Sequence, residues 1–78
     1  MEKKMKIAVV TGANGQFGRF FVEKLLKRNF FVYSLDLNFS YKERINEKQI
    51  IVDISNHIEI EKFFLKVKKL DLLINNML

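Results

Sequence analysis

A chain of 78 residues is bounded to one domain at most, taken here as residues 1–78, and to a small core: at this size only about 60% of the unfolded surface is buried. No cysteine and a single histidine, His57, exclude disulfides and thiolate metal sites and leave little for any other metal centre. The net charge of +5 is carried mostly by lysines scattered through the amino terminus and two helix-like segments, so it is read as solvated helix faces rather than a nucleic-acid footprint.

The first segment, "MEKKMKIAVV", is basic, but its apolar part runs on without a small-residue cleavage site. No apolar run reaches the roughly 20 residues needed to span a bilayer, and a soluble, cytoplasmic protein is expected. Lys6 to Thr11, "KIAVVT", is a short β-branched run that predicts a strand buried on both faces. Next comes "GANGQFG", with Gly12, Gly15 and Gly18 at a spacing of three. Then "FGRFFVEKLLKR" places Phe17, Phe21 and Leu25 four apart, with Val22 and Leu26 beside them and charges on the remaining arc. This predicts an amphipathic helix with cations in its last turn, where its dipole favours them.

Phe30 to Asp36, "FFVYSLD", is the second predicted strand. Leu37 to Gln49 is polar and weakly patterned, with a short helix expected over Tyr41 to Glu47 and Tyr41 itself solvated. Ile50 to Ile54 is the third strand. Ile60, Phe63, Phe64 and Val67 follow i, i+3, i+4, i+7 and predict a second long helix, and Asn56 with Glu59 forms a capping box at its start. Leu70 to Asn75 is the fourth strand. Strands and helices alternate throughout, which argues for an α/β fold with a parallel sheet and helices on both faces.

A phosphate group needs several N–H donors converging at close range, and a glycine turn leading from strand into helix clears Cβ atoms from that approach. Gly12 would make the turn, Gly15 would let backbone approach a pyrophosphate, and Gly18 would let the helix sit close to the sheet. The main-chain amides between Thr11 and Arg19, those of Asn14, Gln16 and Phe17 among them, would gather the diphosphate. Asp36 stands 18 residues past Gly18 at the end of the second strand, where a carboxylate accepts hydrogen bonds from an adenosine ribose. It would also repel a 2′-phosphate, and no arginine follows it directly, so NAD is expected rather than NADP.

These residues resemble the short-chain dehydrogenase/reductase family. "TGANGQFG" looks like its glycine loop, "SLD" like its acidic second-strand end, "VDIS" like its adenine-contacting segment, and "LDLLINN" like the strand that leads into its NNAG motif. The resemblance implies that Asp53 contacts the adenine amino group, Ile54 packs beside the base, and Asn75 supports the cofactor. It implies half of a doubly wound Rossmann fold, with four parallel strands in the order 3-2-1-4 and flanking helices.

Three departures qualify it. The loop reads TGxxGxxG rather than TGxxxGxG, which is similar to the extended branch of nucleotide-sugar epimerases, dehydratases and reductases, whereas the NN strand end points to the dehydrogenase branch. NNAG becomes "NNML", with Met77 and Leu78 in place of Ala and Gly. The Tyr-x-x-x-Lys pair and Ser that run the family's acid/base chemistry are missing: Tyr33 and Tyr41 are followed four places on by Leu37 and Ile45. Ser34, Ser40 and Ser55 lie in the wrong half, and His57 reads as a surface residue. The expectation is therefore an amino-terminal, truncated dinucleotide-binding piece without catalytic residues of its own. An exposed fourth-strand edge would be open to self-association or to a complementing fragment. A stand-alone nucleotide-binding or interaction module and a basic nucleic-acid binder are the competing readings.

Overall fold

The computed structural model describes residues 5–76. Its elements run β1 (Lys6–Thr11), α1 (Gln16–Lys27), β2 (Phe30–Asp36), β3 (Glu47–Ile51), α2 (His57–Lys66) and β4 (Leu72–Asn75). All strand pairs are parallel, as the alternating pattern predicts, and the sheet order is β3-β2-β1-β4, as the family resemblance implies. The substitutions Met77 and Leu78 lie outside the described residues. Among the described residues, no helix is long and apolar enough to cross a membrane.

β1 is central because its side chains are apolar on both faces: Ala8, Val9 and Val10 are fully buried. Ala8 and Val10 join Val32, Ala13, Val22 and Leu25 in the core layer beneath α1. Val9 joins Leu35, Val52 and Phe63 beneath α2, where Tyr33 packs edge-on against Phe63. Helices therefore cover both faces.

α1 buries Gly18, Val22 and Leu25, a stripe that begins at Gly18 and not at Phe17. Phe17 is 68% exposed, correcting its expected place on the apolar face. The close seat of Gly18 on the loop before it sets the rotation of the helix and turns Phe17 outward. After the C-cap Arg28, Asn29 takes the left-handed conformation (φ 68°) that ends the helix, a conformation Asn tolerates through its short polar side chain. Asn56 caps α2 as predicted, its side chain accepting from the Ile58 and Glu59 amides, but the box is not closed in the usual way: the Glu59 carboxylate accepts from the Asn56 side-chain nitrogen at 2.9 Å, and the Asn56 amide donates to the Asp53 carbonyl.

The crossover from β2 to β3 differs from expectation. Tyr41 to Glu47 forms no helix; it runs irregularly to a turn closed by the Glu47 amide on the Arg44 carbonyl, with Asn46 left-handed. β3 starts at Glu47, three residues before the predicted Ile50, and gives up Val52 to Ile54. Glu47 can be buried at the start of this edge strand because its carboxylate has three donors: the Ser34 and Tyr41 hydroxyls at 2.6 and 2.7 Å and the Arg44 amide at 3.0 Å. β4 starts at Leu72, after Asp71 has exchanged hydrogen bonds with the Ile7 backbone.

Candidate functional site

The carboxyl ends of β1, β2 and β4 and the segment after β3 gather the predicted residues at one end of the sheet. Gly12, directly after β1, has φ 63° and so needs no Cβ to turn the chain. The Gly15 amide closes that turn on the Gly12 carbonyl at 3.1 Å. A Cβ on Gly18 would fall 2.0 Å from the Gly12 oxygen and 2.7 Å from the Ala13 Cα, so the helix seats on the loop backbone itself rather than on a strand. At Gly15 a Cβ would meet only the Gly12 oxygen, at an ordinary 3.4 Å, so the fold itself leaves room there.

The loop amides divide into two groups. Ala13 donates to the Leu35 carbonyl, Asn14 to the Asp36 carboxylate, Gly15 to Gly12, and Arg19 makes the first helical bond to Gly15. The amides of Gln16, Phe17 and Gly18 precede that bond, and the N-cap Gly15 supplies no side-chain acceptor for them. No acidic residue stands in the first turn of α1 either. α2, by contrast, is capped by Asn56 and carries Glu59. The first turn of α1 thus presents unneutralised N–H groups and the positive end of a helix dipole, a setting suited to an anion. Sequence spacing marks the whole loop; the hydrogen bonds narrow the donors to three.

Asp36 stands beside this loop. One carboxylate oxygen accepts the Asn14 amide at 2.8 Å and the other the Leu37 amide at 2.7 Å, which fixes the plane of the group. A cleft next to it is lined by Gly12, Leu35, Asp36, Leu37, Val52, Asp53 and Ile54. Its walls are mainly apolar, as a flat heterocycle requires, with two carboxylates at its rim. One oxygen of Asp53 accepts both the Ser55 amide and hydroxyl, at 3.0 and 2.6 Å. Those bonds favour the ionised form and hold the carboxyl below its usual 3.8. Asn75 lies across β1 from Asp36: its side chain accepts from the Thr11 hydroxyl at 2.8 Å, and that hydroxyl in turn accepts the Asn76 amide at 3.0 Å. Gly12, Asn14, Gly15, Gln16, Phe17, Gly18, Asp36, Asp53, Ile54 and Asn75 therefore share one end of the fold, although Phe17 offers its amide there while its ring faces solvent.

Sequence reasoning missed a second group. Arg19, assigned only to the polar arc of α1, donates to the Asn14 carbonyl and side-chain oxygen, each at 3.0 Å, and also to Ser40. Its guanidinium lies 5.2 Å from the centre of the Tyr41 ring, and that of Arg44 lies 5.3 Å from it. Tyr41 is therefore not a solvated loop residue. Burial, then its bond to Glu47 and the charge there, push its hydroxyl up to about 12. The only signal in the sequence is a run of polar residues after β2, which says nothing of the path they take.

A parallel sheet, a glycine turn into an uncapped helix and an acidic end to the next strand define a nucleotide-binding α/β protein of the Rossmann class. The model of the NAD dependent epimerase/dehydratase family matches residues 8–76, and the chain belongs to that family. No curated protein matches it. Among solved structures it is similar to a short chain dehydrogenase from Leptospira borgpetersenii serovar Hardjo-bovis with bound NAD+, at 33% identity and a TM-score of 0.81 over 92% of this chain and 31% of that one. The Bordetella bronchiseptica enzyme WbmH in complex with NAD+ matches at 25% identity and a TM-score of 0.79, over 95% and 26% of the two chains. A 4-hydroxyisoleucine dehydrogenase complexed with NADH matches at 28% and 0.67, over 80% and 26%. The chain thus spans between a quarter and a third of these relatives. Among the described residues, no group of side chains suits a metal ion.

Proposed function

We propose that this chain binds the adenosine diphosphate half of NAD, as the amino-terminal part of a short-chain dehydrogenase/reductase-type protein. The observation that carries this reading is the placing of the free Gln16, Phe17 and Gly18 amides and the fixed Asp36 carboxylate at the same end of one sheet. The diphosphate would lie on the first turn of α1, with Gly15 letting it approach the backbone. Asp36 would accept from the ribose hydroxyls. The base would enter between Leu37 and Ile54, with Asp53 at its amino group. When bound, NAD supplies hydride transfer; the residues of this chain hold it and orient it. The relatives' NAD+ and NADH complexes support NAD, and the Asp36 charge disfavours a 2′-phosphate. The Tyr-x-x-x-Lys pair is not among these 78 residues, and the role proposed for them is to bind the cofactor.

Calorimetric titration tests the reading. ADP and NAD should bind with similar affinity, and Gly15→Arg should abolish both by filling the approach to the amides. No binding by the unaltered chain, or equal binding by the variant, would refute the assignment.

A second reading concerns β4. It pairs with β1 alone among the described strands, and Leu72 and Leu73 are 38% and 48% exposed. Its outer edge would accept a further strand, from a second copy or a complementing fragment. Sedimentation of the chain across a concentration series tests it; a monomer throughout, with no mass gained on adding such a fragment, would exclude it.

A further inference from the structure

Asn14 joins the glycine loop to the segment from Asp36 to Ser40, more than 20 residues further along the chain. Its amide donates to Asp36 at the end of β2, and its side-chain nitrogen to Asn38 at 3.0 Å. Its side-chain oxygen accepts from the amide and the hydroxyl of Ser40, each at 3.1 Å. Arg19 spans the carbonyl and the side-chain oxygen of the same residue through Nε and Nη2, and Nη2 reaches Ser40 as well. Tyr41 lies beside the guanidinium. The glycine loop, the first turn of α1 and the start of the crossover are thereby held in one arrangement, to which the Asp36 carboxylate is tied through the Asn14 amide.

We propose that Arg19 is a positioning residue: by clamping Asn14 against the crossover, it fixes the Asp36 carboxylate in the orientation that reads a ribose hydroxyl. This rests on the proposed adenosine diphosphate site. The guanidinium is spent on Asn14, Ser40 and the Tyr41 ring, and its planar fork bridges two oxygens of one residue. A lysine ammonium has no such fork, so it would keep the charge and lose the clamp. The clamp acts on the ribose side of the site alone. The Gln16, Phe17 and Gly18 amides belong to the helix, and their orientation is set by the contact of Gly18 with Gly12.

The test compares ADP, 2′-deoxy-ADP and inorganic pyrophosphate by calorimetry on the full chain. A hydrogen bond to a charged acceptor corresponds to a preference of about tenfold or more, so the unaltered chain should favour ADP over 2′-deoxy-ADP by about that factor. Arg19→Ala and Arg19→Lys should bring the ratio close to one while leaving pyrophosphate binding intact. The paired substitution Asn38→Ala with Ser40→Ala, which leaves α1 untouched, should lower the ratio in the same direction. It keeps the test decisive should Arg19→Ala fail to fold. An unchanged ratio in that pair or in Arg19→Ala, or full retention by Arg19→Lys, overturns the proposal. So does a preference of the unaltered chain for 2′-phospho-ADP that Arg19→Ala removes, since Arg19 would then touch ligand directly. Absence of ADP binding by the unaltered chain overturns the function reading itself; ADP binding with an unchanged ratio overturns this inference alone.

Discussion

The carboxylate of Asp36 accepts the amide of Asn14 at 2.8 Å, joining the end of β2 to the glycine loop across 22 residues of sequence. The bond costs the loop one outward-facing donor and gives the site a fixed negative charge. Asp36→Asn keeps one oxygen acceptor and removes that charge. We expect ADP to bind about tenfold more weakly, because a charge-assisted bond becomes a neutral one. The discrimination of NAD against NADP should also shrink, because the repulsion of a 2′-phosphate is gone. Parallel titrations with both dinucleotides check this; an unaltered NAD to NADP ratio would place Asp36 away from the ribose.

The glycines should separate stability from binding. Gly18→Ala forces a Cβ into the Gly12 backbone, which can yield only by moving the loop, and we expect a loss of about 1–3 kcal/mol in urea unfolding. Gly15→Ala has ordinary van der Waals room and should leave the unfolding midpoint nearly unchanged, while weakening ADP through its methyl group at the anion. Equal destabilisation by both would contradict the geometry.

Tyr41 makes stability fall at high pH. Its hydroxyl is pushed from 10.0 to about 12 in the fold, so between those values the unfolded chain loses the proton while the folded chain keeps it. The contribution is complete below pH 10 and declines as pH rises through the folded value. Tyr41→Phe lacks this titration. The difference in urea midpoint between the unaltered chain and Tyr41→Phe, followed from pH 9 to 12, should therefore stay level to about pH 10 and then move against the unaltered chain.

Asp53 behaves in the opposite sense. Ser55 holds its carboxyl below 3.8, so the stabilising interaction is present at neutral pH and is lost only as pH falls through the lowered value. Ser55→Ala removes the hydroxyl donor and keeps the amide. Carboxyl carbon chemical shifts should show the Asp53 midpoint rising in that variant; no movement would mean that the hydroxyl does not reach it.

The parts of this fold that are readable from sequence are those fixed by local rules. β1 and β2 have the predicted bounds because a β-branched run stops before Gly12 and an aromatic-rich one closes with Asp36. The Asn56 cap starts α2 where expected because a cap needs only its own four residues. Glu47 is different: a charged residue in a polar stretch reads as solvent-facing, and only Ser34, 13 residues back, and Tyr41, six residues back, make its burial possible. The predicted helix over Tyr41 to Glu47 failed for the same reason, since those side chains turn inward to a tertiary partner. Phe17 was misassigned because a four-residue spacing cannot show which of two overlapping stripes faces inward, whereas the steric demand of Gly18 does. At the site, βα connectivity brings the loop and Asp36 together, so their proximity follows from the pattern. The link through Arg19 depends on the route of an irregular crossover, which no periodicity encodes.

β1 is flanked by a strand on each side and covered on both faces, whereas β4 has one neighbour among the described strands and exposes Leu72 and Leu73. Backbone deuterium uptake should consequently be graded across the sheet, slowest at Val9 and Val10 and fastest at Leu72 and Leu73. The Thr11–Asn75 contact spans that gradient, so the asparagine flank of the site will open and reclose many times for each excursion of its aspartate flank.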